Sequence, residues 1–307
     1  MARKKKRLAP GSGGGGAWIG GPITATSHKW RNVEGEKGKA FKSQGQLLAL
    51  QRGDNGRAKD FGTEGNVAGE QTGTSIFDPV LCEIAYRWFC PLQGKILDPF
   101  AGGSVRGIVA ACLGYAYTGI DLQAGQIAAN EEQAVAIIPT NPPKWILGDS
   151  RYLNDLVKGP FDFVFSCPPY YDLERYSEDP TDLSNAPDYN AFLSDYFLIV
   201  RQATASLKEN RFACFVVGDI RDKQGFYRGF VGDTIKAFEQ TGMKLYNEAI
   251  LVTAIGSLPV RVGHPFAKFR KLGKTHQNVL VFYKGDPKQI PDNLGVLENI
   301  DDSAECI

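Results

Sequence analysis

Residues 95–121 read KILDPFAGGSVRGIVAACLGYAYTGID, and this stretch decides the fold. Lys95–Asp98 is a short apolar run of strand type, closed by an acid. Gly102 and Gly103 then let the backbone turn sharply and approach a ligand closely. A helix over about 104–113 follows, and a second strand, Ala116–Ile120, ends in Asp121. Strand, glycine turn, helix, strand is the unit of a parallel sheet with right-handed crossovers.

The alternation continues on both sides. Upstream, Val80, Leu81, Ile84, Ala85, Trp88 and Phe89 fall at helical spacing. Downstream, an Ala-rich helix from Gln123 leads to a third strand at 145–147, and a fourth spans Phe161–Phe165. A polar loop runs to about 187, then an amphipathic helix over 189–207, a fifth strand at 212–217, a polar loop to about 230 and a helix at 231–240. Leu245–Thr253 and Val279–Tyr283 read as the last two strands. The pattern predicts an α/β fold: a doubly wound, mostly parallel seven-stranded sheet with helices on both faces.

The flanks differ in composition. Residues 1–73 carry a basic cluster (Arg3, Lys4, Lys5, Lys6, Arg7), seven glycines among the eleven residues 11–21, and little apolar periodicity, which predicts a flexible Gly-rich basic arm. Residues 74–284 are expected to fold, and 285–307, with Glu298, Asp301, Asp302 and Glu305, to form an acidic tail. The formal net charge of +1 excludes binding of nucleic acid by bulk charge and requires a local basic face. The six cysteines include no Cys-x-x-Cys pair, and three histidines lack ligand spacing, so no metal site is expected. No signal peptide and no membrane-spanning apolar stretch are legible, and a cytoplasmic location is expected.

In an open α/β sheet, ligands bind beyond the carboxyl ends of the strands. Three such ends carry polar or glycine features: Asp98-Pro-Phe100-Ala-Gly102-Gly103-Ser104, Gly119-Ile-Asp121 and Gly148-Asp149. Asp121, 19 residues after Gly102, suits the two hydroxyls of a ribose, and Asp149 an adenine amino group. The dinucleotide fingerprint and the phosphate-loop motif are missing, so the site reads as one for a nucleoside without a phosphate chain, which S-adenosylmethionine fits.

The fourth strand ends in Ser166-Cys167-Pro168-Pro169-Tyr170. Here the chain resembles the DNA amino-methyltransferases (adenine N6 or cytosine N4), whose fourth strand ends in Asp, Asn or Ser followed by Pro-Pro-Tyr or Pro-Pro-Phe. Their glycine motif is often Asp-Pro-Phe-x-Gly, as at Asp98–Gly102. The segment 74–79, with Thr74 and Phe77, resembles the part that holds the methionine end of the cofactor, and His276–Lys284 resembles the closing strand.

The resemblance spans roughly 74–284 and implies a Rossmann-like methyltransferase fold, S-adenosylmethionine as cofactor, and duplex DNA with a flipped target base as substrate. It also implies catalytic roles for Cys167, Pro168, Pro169 and Tyr170, and cofactor contacts from Thr74, Phe77, Asp98, Phe100, Gly102, Gly103, Ser104, Asp121 and Asp149. Acceptors around an exocyclic amine localise its lone pair, paired prolines aim carbonyls rigidly, and the aromatic ring stacks on the extruded base.

Cys167 departs from the pattern, since a neutral thiol is a weak acceptor. It reads as a tolerated acceptor beside the Pro168 carbonyl, as the mark of a degenerate site, or as a carbon-5 nucleophile; its position before the prolines argues against the last. Adenine N6 is preferred to cytosine N4 as target, with RNA bases, a protein glutamine and a non-catalytic nucleic-acid binder as alternatives. Tyr171, Arg175, Arg221, Arg261 and Lys274, on loops after strands four to six, are expected to contact nucleic acid. With no inserted recognition domain visible, target specificity is expected to be short or loose. A restriction partner, self-protection and regulatory marking are equally open as biological roles.

Overall fold

The computed structural model describes residues 77–138, 140–173, 176–252 and 258–296. Seven strands form one sheet: β1 (Lys95–Asp98), β2 (Ala116–Asp121), β3 (Lys144–Leu147), β4 (Phe161–Ser166), β5 (Leu207–Val217), β6 (Lys244–Val252) and β7 (His276–Lys284). Their order is β3-β2-β1-β4-β5-β7-β6. The first five strands pair in parallel, and β7 runs antiparallel to both β5 and β6. The expected doubly wound, mostly parallel α/β sheet is therefore what the chain forms.

Alternation along each strand sends side chains to two cores. Ile96, Phe163, Phe165, Cys214, Val216, Val279 and Val281 face one. That layer is completed by α1 (Pro79–Phe89), α2 (Val105–Cys112) and α3 (Ala124–Ile137). Leu97, Val164, Ala213, Phe215, Val217, Leu280 and Phe282 face the other, beneath α5 (Tyr189–Ala205) and α6 (Phe230–Glu239), with the one-turn α4 (Leu153–Leu156) at its rim. β4 is buried along its whole length, which is why Phe161–Ser166 reads as a continuous apolar run with Asp162 inside it. Asp162 is tolerated there because Lys208 (2.7 Å) and Arg211 (3.2 Å) pair with it.

Three local expectations differ from the structure. β5 begins at Leu207, directly after α5, so the helix stops at Ala205 and the polar stretch Lys208–Arg211 is strand. The stretch is bracketed by strand pairs, Leu207 with Phe161 of β4 and Arg211 with Lys284 of β7, long-range contacts that override local composition. The basic segment after β6, expected as a loop, contains α7 (Leu258–Phe269), with Pro265 inside it. The tail expected from Gly285 starts with a 3-10 turn at Pro287–Gln289 and a short helix α8 (Ile290–Leu294), whose Ile290 and Leu294 pack on the first core. The arm 1–73 and residues 297–307 lie outside the described residues. Among the described residues no helix is long and apolar enough to cross a membrane.

Candidate active site at the carboxyl edge of the sheet

The carboxyl ends of β1, β2 and β4 meet in one hydrogen-bonded frame. Its centre is Asp98, fully buried. Ser166 Oγ donates to Asp98 Oδ1 at 2.5 Å and Phe100 N to the same oxygen at 3.1 Å. Arg106 Nε donates to Oδ2 at 2.6 Å and Tyr117 OH at 2.8 Å. The four donors fill the carboxylate, so Asp98 shapes the turn from within and presents no free lone pair to a cofactor. Arg106 also donates to the carbonyls of Phe100 (2.5 Å) and Ala101 (2.8 Å), which holds the glycine turn from beneath. Burial opposes the Arg106 charge, but Asp98 together with Tyr117 and Cys167 outweighs it and raises the guanidinium above its ordinary pKa. Neither Arg106 nor Tyr117 was legible as part of the site. The only hint is a basic residue inside an otherwise apolar helix.

The turn itself is open where a ligand would approach. Gly102 has φ +50°, a conformation that favours glycine, and a Cβ on Gly103 would meet no atom within 4 Å. Gly102 N donates to Asp121 Oδ2 at 2.8 Å, and Gln123 N to Oδ1 at 2.8 Å. Each Asp121 oxygen thus keeps a lone pair at the half-buried end of β2, an arrangement that fits two adjacent hydroxyl donors. Burial raises the Asp121 carboxyl pKa, against the lowering effect of those two backbone donors. Asn130 Nδ2 binds the Gly102 carbonyl at 2.7 Å from α3.

Other expected cofactor residues take different positions. Ser104 is buried and donates to Gln133 Oε1 at 2.5 Å, so it ties α2 to α3 rather than lining the open side. Asp149 caps the 3-10 turn at Ser150–Tyr152, and its carboxylate is engaged by Arg151 at 2.6 Å. The adenine-acceptor role expected of Asp149 is therefore contested within the chain by Arg151. Phe77 is half-buried, edge-on to Phe165, with the Arg106 guanidinium 4.8 Å over its ring. Phe100 is half-buried and stacks on Tyr196. Thr74 lies outside the described residues.

At the end of β4, Cys167, Pro169 and Tyr170 are half-buried and Pro168 is buried. The Tyr170 ring lies edge-on to Phe230, 6.0 Å between centroids, and against Gly218, where an added Cβ would stand 3.4 Å from the ring. Gln277 Nε2, from the start of β7, donates to the Tyr170 hydroxyl at 2.7 Å. Cys167 Sγ lies 3.7 Å from the same hydroxyl. Gln277 sits within the closing strand that resembles the methyltransferases, but nothing in the sequence joins it to Tyr170.

The expected nucleic-acid contacts divide. Tyr171 is only 8% exposed and packs on Tyr189 and Phe192, so it belongs to the second core and not to an interface. Arg221 turns onto Tyr227, 3.9 Å from the ring, and donates to the Gly225 carbonyl at 2.7 Å. Lys274 is half-buried near Asp219, and burial lowers its pKa. Arg175 lies outside the described residues, and Arg261 is placed only as a position in α7. Because β6 runs parallel to β5, α7 leaves the sheet at the same edge as the Pro-Pro-Tyr element. Gly225 also abuts Lys271 there, since a Cβ would collide with its Nζ. Among the described residues no group of three or more His, Cys, Asp or Glu is placed to hold a metal ion.

No known family model matches the chain, and no curated protein does. Among solved structures the chain is similar to TrmN from Thermus thermophilus, at 16% identity and TM-score 0.45, over 67% of this chain and 48% of that one. An rRNA methylase from Streptococcus thermophilus aligns at 10% identity and TM-score 0.44, over 69% of this chain and 100% of the other. Magnesium protoporphyrin IX methyltransferase from Synechocystis, solved with bound S-adenosylmethionine, aligns at 12% identity and TM-score 0.44, over 82% and 99%. The chain spans about half the length of the Thermus protein. At these identities and TM-scores the likeness carries no argument about family or substrate.

Proposed function

We propose that the chain is an S-adenosylmethionine-dependent methyltransferase acting on an exocyclic amino group of a nucleic-acid base, with adenine N6 in DNA as the preferred target. The observation that carries this reading is the hydrogen bond between Ser166 and Asp98. It locks the strand end that bears Cys167–Tyr170 beside the one that opens into the Gly102–Gly103 turn, so an amine-handling element and a nucleoside-compatible turn share one edge.

When bound, the cofactor supplies an electrophilic methyl group on a sulfonium. The residues of the chain do the positioning, which is most of the catalysis in a direct displacement. Asp121 accepts the ribose hydroxyls, and the open side of Gly103 admits the cofactor close to the backbone. The Pro168 carbonyl and the Cys167 sulfur face the amine as acceptors. The Tyr170 ring, held by Gln277 and Phe230, stacks on the extruded base at about 1–3 kcal/mol. Nucleic acid lies along the edge formed by residues 218–229 and α7. No Asp or Glu occurs between Glu248 and Asp286, while Arg261, Lys268, Arg270, Lys271 and Lys274 do. Phe226, Phe266 and Phe269 are exposed on the same edge.

The test is transfer from methyl-labelled cofactor to separate DNA and RNA pools, followed by digestion to nucleosides. Label on N6-methyl-2′-deoxyadenosine from DNA is expected. Label on N4-methyl-2′-deoxycytidine or in the RNA pool would move the substrate and keep the chemistry. Label in neither pool would reject the proposal.

A further inference from the structure

Among the described residues, Arg228 stands beside the Pro-Pro-Tyr element with no carboxylate in direct contact. Its guanidinium carbon lies 4.9 Å from the Tyr171 ring and 4.8 Å from the Tyr189 ring, in the angle between two rings that meet edge to face, 5.6 Å between centroids. Its Nε is buried with no hydrogen-bond partner. Among the described residues no carboxylate lies within ion-pair distance of it, whereas Arg106, Arg151 and Arg211 each have one. Leaving a buried polar group of a charged side chain unpaired is costly, and two aromatic faces offset only part of that cost. Asp219 gives one carboxylate oxygen, Oδ1, to the backbone N–H groups of Ile220, Gly229 and Phe230, and Asp222 acts on Arg228 only from beyond ion-pair distance.

The position is equally specific. Segment 170–171 runs beside segment 228–230: Tyr170 touches Phe230, and Tyr171 touches Arg228. The guanidinium is therefore held one residue along from the ring assigned to the target base. Contact with the two rings confines the guanidinium, and burial of Nε leaves the terminal N–H donors of a half-exposed residue as the ones able to reach a ligand. A planar fork with a full charge and, among the described residues, no carboxylate within ion-pair distance matches two oxygens of a phosphodiester.

We infer that Arg228 is a phosphate grip, binding the backbone phosphate that adjoins the target nucleotide. The inference rests on the reading of this edge as a nucleic-acid methylation site. It adds a docking point that carries no base information and sets the distance between backbone and Tyr170.

The experiment uses the full chain and a fluorescent DNA duplex, with binding followed by anisotropy across a salt series. For Arg228→Met, the slope of log K against log salt should fall by about 0.9, the value for one lost phosphate contact. Affinity should fall roughly tenfold or more. Arg228→Lys, which keeps the charge without the fork, should retain most of the slope. A second measurement leaves the protein intact: a neutral methylphosphonate placed at each linkage in turn beside the target base. One linkage should weaken the wild type and leave Arg228→Met indifferent, a coupling that loss of packing between Tyr171 and Tyr189 would not produce. If the wild type binds and no linkage shows this coupling, Arg228 is a packing residue and the inference is overturned. If the wild type binds no duplex and methylates none, the methylation reading fails first and takes the grip with it.

Discussion

Ser166 donates to Asp98 at 2.5 Å between the last residues of β4 and β1, both fully buried. The two residues lie 68 positions apart, and each stands next to one of the motifs assigned to the site. The bond makes the amine element and the glycine turn a single rigid object. It also places a buried charge at the centre, compensated by Arg106.

Asp98→Asn is therefore expected to act on stability. It leaves the Arg106 guanidinium buried without its counter-charge, at a cost of about 3–5 kcal/mol. Ser166→Ala removes one bond to a charged acceptor, at about 1.5–3 kcal/mol. Urea unfolding measures both. An Asp98→Asn protein as stable as the wild type would remove Asp98 from the role assigned to it here.

Tyr170 divides into a ring and a hydroxyl with separate tasks. Tyr170→Ala should abolish methyl transfer with cofactor affinity intact, because the ring meets the base and not the cofactor. Tyr170→Phe keeps the ring and loses the Gln277 bond. Transfer should survive there with a several-fold drop, a factor that Gln277→Ala should reproduce. Equal losses from Tyr170→Phe and Tyr170→Ala would show that stacking is not what the residue supplies.

Cys167 is the weak acceptor of the motif. Replacing it with Ser or Asp should preserve or raise the turnover of amino-group methylation, since either oxygen accepts more strongly than a thiol. A complete loss of turnover in Cys167→Ser, with folding intact, would assign the sulfur a task of its own.

Asp121 predicts a pH dependence. Burial raises its carboxyl pKa, and the ionised form is the better acceptor for ribose hydroxyls. Cofactor affinity should therefore fall as pH drops through that raised pKa, beginning at a higher pH than an ordinary carboxylate would give. Asp121→Asn should weaken binding about 10–100-fold at neutral pH and flatten the profile. The linkage has the opposite sign for the ligand-free fold. Below the raised pKa the folded chain holds a proton that the unfolded chain releases, so this residue favours folding as pH falls towards the unfolded value. Calorimetric titration at several pH values reads the first effect, and a flat wild-type profile would remove Asp121 from the cofactor site.

Much of the architecture was open to reading in one dimension. Apolar periodicity placed all seven strands and most of the flanking helices. Turn chemistry located Gly102–Gly103, whose left-handed residue is an intrinsic property of glycine. α7 escaped because Gly263 and Pro265 interrupt its pattern, and the first residues of β5 because Lys208, Glu209, Asn210 and Arg211 are polar. The 8% exposure of Tyr171 escaped for another reason. An aromatic after Pro-Pro-Tyr in a polar loop looks like an exposed ring until Tyr189 and Phe192 of α5 are packed against it.

The sequence by itself determined the order of the elements, the glycine turn and the Pro-Pro-Tyr strand end, because each depends on local periodicity or on backbone chemistry within a few residues. The tertiary structure alone decided which acids remain available. Asp98 is consumed by Ser166, Arg106 and Tyr117, Asp149 is taken by Arg151, and Asp121 keeps lone pairs open. It alone also set Arg228 against two tyrosines with no carboxylate within ion-pair distance among the described residues. A side chain's free donors and acceptors are what remains after its neighbours in space are satisfied, and those neighbours come from distant parts of the chain.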